Sequence, residues 1–148
     1  MAGLLKVSEA AVLAIHTVAV LGGRPEGVTR TRQIASYLGA SEAHLSKVLQ
    51  RLVHTGMVAS VRGPKGGFRM ARDPEDVTLL EVYEAIDGPV QEAGCLLDAP
   101  VCDGSCIMGG LLEEVTERFR DHLGGTTVAE VAVHFCEPAS KEERDRRG

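Results

Sequence analysis

Three of the chain's four cysteines fall close together, at Cys95, Cys102 and Cys106. Thiolates are soft, strong ligands, and iron–sulfur clusters need several of them converging on one point. The gap between Cys95 and Cys102 is six residues and that between Cys102 and Cys106 is three. Asp103-Gly104 sits in the shorter gap and supplies the tight turn that such spacing requires. Other chemistry stays open. Zinc would want a fourth sulfur or nitrogen ligand, and no histidine lies close in sequence. A thiol–disulfide sensor needs only two of the three sulfurs, and a loop cysteine can also have no role. Cys136 stands apart behind His134-Phe135 and reads as a free buried thiol.

Cysteine chemistry depends on compartment. Ala10 to Leu21 is apolar but too short to span a bilayer, and His16 and Thr17 interrupt it. No signal peptide is visible, so the expected location is cytoplasmic, away from any membrane partner, where thiols stay reduced. Of the 148 residues, 44% are hydrophobic, which is too high for disorder. Aromatic residues are only 3% with no Trp, so the core must be Leu, Val, Ile and Ala, which suits packed helices.

The elements around the cysteines follow from periodicity and caps. Val7 to Leu21 reads as a mostly buried helix ended by Gly22-Gly23-Arg24-Pro25. Thr31 can cap a short helix, Arg32 to Leu38, closed by Gly39. Ser41 caps the next helix, whose apolar positions Leu45, Val48, Leu49, Leu52 and Val53 form an i, i+3, i+4, i+7, i+8 stripe, with Gly56 as its stop. Met57 to Arg62 and Phe68 to Ala71 read as strands around the turn Gly63-Pro64-Lys65-Gly66-Gly67. Two short helices followed by a basic-tipped hairpin make a winged helix-turn-helix. Thr78-Leu-Leu-Glu81 is a capping box for a helix to Asp87, stopped by Gly88. Pro89 to Cys106 has no periodicity and reads as a long loop, of the kind that in compact domains is functional or disordered. Ile107 to Leu123 is amphipathic, and its stripe of Leu111, Leu112, Val115 and Phe119 is a candidate two-fold dimer interface. A second capping box, Thr127-Val-Ala-Glu130, opens a last short helix toward His134. The fold expected is mostly α with a small β-wing. Its divisions are a DNA-binding unit over 1–88, a cofactor loop over 89–106, a dimerisation helix and short helix over 107–136, and a flexible tail over 137–148.

The net charge of −5 argues weakly against nucleic acid, but the average hides an asymmetry. Residues 28–72 hold eight Lys and Arg against Glu42 alone, a net +7, while the rest of the chain is at −12. A basic face on an acidic protein is the footprint of phosphate binding. The second short helix would offer Ser41, Glu42, His44 and Lys47 to the major groove, with Arg51 toward phosphate. The wing residues Arg62, Pro64, Lys65 and Gly66 would border the minor groove. No nucleophile triad, metalloprotease helix or phosphate-cradling loop is present, so no enzyme is expected.

The run from Ile34-Ala35 through Leu45-Ser-Lys-Val-Leu-Gln-Arg-Leu52 and Ser60-Val-Arg-Gly-Pro-Lys-Gly-Gly-Phe68 to the Thr78 helix resembles the Rrf2 family of bacterial transcriptional regulators. The resemblance covers about Val7 to Val133. It implies a homodimeric winged-helix regulator, a repressor of its operator in double-stranded DNA, and in many branches an iron–sulfur sensor. It implies that Cys95, Cys102 and Cys106 hold a cluster, 2Fe–2S rather than 4Fe–4S, signalling iron–sulfur, redox or nitric oxide status. The family's usual spacing is even, whereas here it is lopsided, and Gly109 stands where one branch has a histidine ligand. Other branches use an N-terminal carboxylate from across the dimer, and Glu9 occupies that position. Two further readings are a regulator sensing by thiol oxidation or a small metabolite, and an electron-transfer module, which would leave the basic wing without a role.

Overall fold

The structure is a computed structural model that describes residues 6–24, 26–92, 95–97, 99–103, 105–108 and 110–135. Helix α1 (Glu9–Gly22) starts at Ser8, whose hydroxyl accepts the Ala11 N–H at 3.0 Å. Ala11, Leu13, Ala14 and the unbroken run Thr17 to Leu21 are all buried, so the helix is enclosed on most sides. Helices α2 (Thr31–Leu38) and α3 (Glu42–His54) meet at Gly39, whose φ of +67° makes the left-handed turn that favours glycine. Ile34 and Ala35 face the buried side of α3, formed by Leu45, Val48, Leu49 and Leu52. Each fully buried leucine there contributes about 1.5–3 kcal/mol. The cap of α2 is Arg30 and not Thr31: the Gln33 side-chain oxygen accepts the Arg30 N–H at 3.0 Å, which draws Thr31 into the first turn.

Strands β1 (Val58–Val61) and β2 (Gly67–Met70) pair antiparallel, with Val58 opposite Met70 and Val61 opposite Gly67. Thr29 adds a third edge by exchanging two 2.9 Å hydrogen bonds with Phe68. That pairing explains Gly67, since a Cβ there would lie 2.6 Å from the Thr29 carbonyl oxygen. At Gly66 the turn closes so tightly that a Cβ would lie 2.2 Å from the Val61 carbonyl oxygen.

Helix α4 (Leu79–Asp87) is followed by the cysteine-bearing segment, then α5 (Leu111–Gly125), α6 (Val128–Ala132) and a single 3₁₀ turn at Val133–Phe135. The long helix begins at Leu111 and not at Ile107, which is 96% exposed. Ile107 and Met108 lie in a turn, and the Leu111 N–H donates to the Met108 carbonyl at 3.1 Å. Both expected capping boxes are formed, Thr78 with Glu81 and Thr127 with Glu130. Their caps lie side by side: the Leu79 N–H donates to Thr126 and the Val128 N–H donates to Val77, at 2.9 and 2.8 Å. This staple presses α6 against α1, where a Cβ on Gly22 would come within 2.8 Å of Val128. Among the described residues, one hydrophobic core runs from Ala11 to Val128. No described helix is long and apolar enough to cross a membrane.

The α4 cap carries a charge of its own. The Glu81 carboxylate accepts from the Arg72 guanidinium at 2.8 Å and from the Thr78 N–H at 3.0 Å. The Arg72 hydrogen bond first, then the backbone one, holds its carboxyl below the ordinary glutamate range. A carboxyl with a depressed folded pKa stabilises the fold fully above the ordinary glutamate value and loses that contribution as pH falls through the depressed one. Urea titrations should show Thr78→Ala less stable by about 1 kcal/mol at neutral pH. Glu81→Gln should show a shallower loss of stability on acidification than the parent. An equal loss in the two proteins would mean that the Arg72 pairing does not contribute.

Candidate functional site

The helix-turn-helix and wing assemble one continuous face. On α3, Ser41, Glu42 and Lys47 are exposed as expected from sequence, and so are Ala43 and Gln50, which sequence reasoning passed over. The Arg32 guanidinium lies 4.0 Å from Glu42. Arg62, Pro64 and Lys65 project from the wing, while half-buried Gly66 acts through its backbone, donating to the Gly63 carbonyl at 2.9 Å. Arg30 was also missed as an individual residue. Its guanidinium donates to the Pro64 carbonyl at 2.6 Å and so ties the wing tip to the start of α2. Its place in the basic run was the only sequence signal.

Two expected readers take other positions. His44 is half-buried and turns toward α1, with Nδ1 4.0 Å from a Glu9 carboxylate oxygen. Both line a cleft of about 340 Å³ between α1 and the helix-turn-helix corner, with Val12, His16 and Leu38. Arg51 is exposed and also reaches α4. Its guanidinium donates to the Ile86 carbonyl at 2.6 Å and more weakly to Ala85 at 3.5 Å, at the end of α4.

The cysteine loop leaves α4 at Gly88, whose φ is +83°. Its first residues are held on both sides: the Val90 N–H donates to Glu84 at 3.4 Å, and the Val90 carbonyl accepts from Arg120 at 3.2 Å. Cys95 is half-buried and its sulfur accepts the Leu97 N–H at 3.4 Å. Cys102 is exposed, Cys106 is half-buried, and all three are free thiols. In the short gap the Asp103 carboxylate accepts the Ser105 N–H at 3.1 Å, which holds its carboxyl below the ordinary aspartate range. Glu9 is 89% exposed at its side chain. Among the described residues, no three His, Cys, Asp or Glu side chains gather into a group that could hold a metal ion. The donors proposed from sequence are therefore chemically suited to iron but not assembled within one chain. Cys136 lies outside the described residues.

The α5 stripe divides in two. Leu112 is 1% exposed, and Phe119 packs edge-on against Tyr83 with ring centroids 5.4 Å apart, so both are used within their own chain. Val115 is half-buried and Leu111 is 47% exposed. Ile107, Val101, Leu96 and Leu97 are also exposed along the loop, giving an apolar margin without cover in the single chain.

Comparison with known proteins agrees with this architecture. The Rrf2 family model, described as an iron-dependent transcriptional regulator, matches residues 7–134. A putative HTH-type transcriptional regulator of Aquifex aeolicus is 29% identical over 80% of this chain and 85% of its own length. The HTH-type transcriptional regulator IscR of Xenorhabdus nematophila is 29% identical over 82% of this chain and 76% of its own. Among solved structures, IscR of T. potens superposes with a TM-score of 0.69 at 26% identity, covering 92% of this chain and 91% of that one. CymR of B. subtilis, described as the global cysteine regulator, shares the fold with a TM-score of 0.75 at 24% identity over 88% of this chain and 98% of that one. The likeness is to non-enzymatic DNA-binding proteins, and a winged helix-turn-helix joined to a cysteine loop and a long helix belongs with them. The chain is a member of the Rrf2 family of transcriptional regulators.

Proposed function

We propose that this regulator senses iron–sulfur or redox status through the loop of Cys95, Cys102 and Cys106, and that it acts as a cytoplasmic homodimer. The observation that carries the reading is three free thiols in one non-helical segment that follows directly from the DNA-binding unit. A bound 2Fe–2S cluster would be held by those three thiolates, with Glu9 as the fourth donor, and would supply a redox- and ligand-sensitive link. Because the donors are not gathered in one chain, holding it requires the loop to close or a second copy to approach. A second reading, direct thiol oxidation without a cluster, draws support from the solvent exposure of Cys102.

On DNA, Ser41, Glu42, Lys47 and Gln50 read the major groove, and Arg62 and Lys65 meet backbone beside the minor groove. Positive charge there meets the phosphates. The apolar margin of Leu111 and Val115 packs against a second copy, and two wings then read two half-sites.

Anaerobic purification followed by absorbance spectroscopy decides between the sensing modes. Visible bands are expected, lost in Cys102→Ala, altered in Glu9→Ala and unchanged in Cys136→Ala. A colourless parent after reconstitution with iron and sulfide leaves thiol oxidation as the sensing mode. For DNA, Lys65→Ala should weaken binding to all sequences alike and lower the salt slope by about 0.9. Gln50→Ala should instead change preference between sites by about 1–3 kcal/mol at a contacted base pair. Binding unchanged in both variants would place the interface elsewhere. For assembly, Leu111→Glu should sediment as a monomer with its fold intact, whereas Leu112→Ala should lower protomer stability by about 2–5 kcal/mol. A parent that is itself monomeric would remove the dimer.

A further inference from the structure

The C-terminal end of α4 is a junction between parts of the protein that have different tasks. A helix's last carbonyls lack intrahelical partners and form the negative end of its dipole. Here they are met by the Arg51 guanidinium reaching across from α3, at 2.6 Å from Ile86 and 3.5 Å from Ala85. The last residue of the helix, Asp87, serves another element. One of its oxygens accepts the Ser8 N–H at 2.8 Å and the other accepts the Ser8 hydroxyl, at the start of α1. A carboxylate is poorly placed at the end of its own helix but well placed at the positive N-terminus of α1. One residue further on, Gly88 takes a left-handed φ and the cysteine loop begins.

Three elements thus meet within four consecutive residues, Ala85 to Gly88: α3, the proposed recognition helix, the start of α1 next to Glu9, and the root of the sensing loop. Each bond depends on the last turn of α4 staying wound. A loop that closes around a ligand, or is pushed apart by modification, acts on that turn through Gly88 and Val90. When the turn shifts, the Ile86 carbonyl moves relative to Arg51, and α3 loses the contact that sets its distance from α4. We propose that Arg51 is a positioning residue, carrying the state of the cysteine loop through the end of α4 to the recognition helix. Its charge belongs to the coupling and not to a phosphate contact. The inference rests on the reading of the loop as the sensor.

The test uses full-length protein in a Cys136→Ala background, so that iodoacetamide reacts with loop thiols alone. Affinity is measured over a range of salt for a duplex that the parent selects from random-sequence DNA, before and after alkylation. Alkylation should change the parent's affinity by about fivefold or more, as coupled sites do. In Arg51→Gln the change should fall below about twofold, and the salt slope should equal the parent's. A variant that responds as fully as the parent overturns the coupling. So does a salt slope smaller by about 0.9, which marks a phosphate contact. A parent indifferent to alkylation overturns the sensing reading, and the coupling with it. Should Arg51→Gln not fold, Arg51→Lys keeps the charge but not the forked donor, and is judged on the alkylation response alone. A reduced response supports the proposal and a full one sinks it.

Discussion

The burial of α1 is the constraint on which the rest of the molecule depends. With Thr17 to Leu21 enclosed without a break, the C-terminal half of this helix is covered on all sides, while Glu9, Val12 and His16 leave an exposed strip on its N-terminal half. The helix-turn-helix, α4 and α6 all cover it, and each is thereby placed relative to the others. Such a helix cannot rotate or slide without opening a cavity, and close-packed interiors resist that. The helix-turn-helix is consequently set on a close-packed support. The small side of Gly22 lets α6 approach, and the paired caps at Thr78 and Thr127 hold it there.

Against that support, the wing is made precise by backbone more than by side chains. Thr29 closes a third edge on β2, and Arg30 holds the Pro64 carbonyl, so the tip is tied down at both its root and its end. At Gly66 and Gly67 neighbouring carbonyls leave no room for a Cβ, and at Gly63 the left-handed φ of +109° favours glycine. Arg62 and Lys65 then stand exposed on a turn held by these contacts.

The cysteine loop has the opposite character. It is anchored where it leaves α4, by Glu84 and Arg120, and where it enters α5, by the turn before Leu111. Between those points the protein holds three thiols without gathering them. The packed helices and the cysteine loop meet at the end of α4.

How much of this was legible beforehand follows from the range of the forces involved. Capping boxes, the stripe on α3, the Gly39 corner and the wing turn are local: their chemistry acts within a few residues, so the chain determined them by itself. The asymmetry of charge and the grouping of cysteines were equally plain, and with the family resemblance they pointed to a transcriptional regulator. What only the tertiary structure decided is where side chains on known helices point and which neighbours they find. His44 turns to Glu9, Arg51 to α4, and Leu112 into its own core, while Gln50 is left exposed. Those outcomes depend on the packing of α1, α4 and α5 across many residues, and periodicity carries no information about distant partners. The start of α5 shows the same limit. An apolar residue at 107 fits the helical stripe, but the turn at Ile107 and Met108 keeps Ile107 off the helix and in solvent.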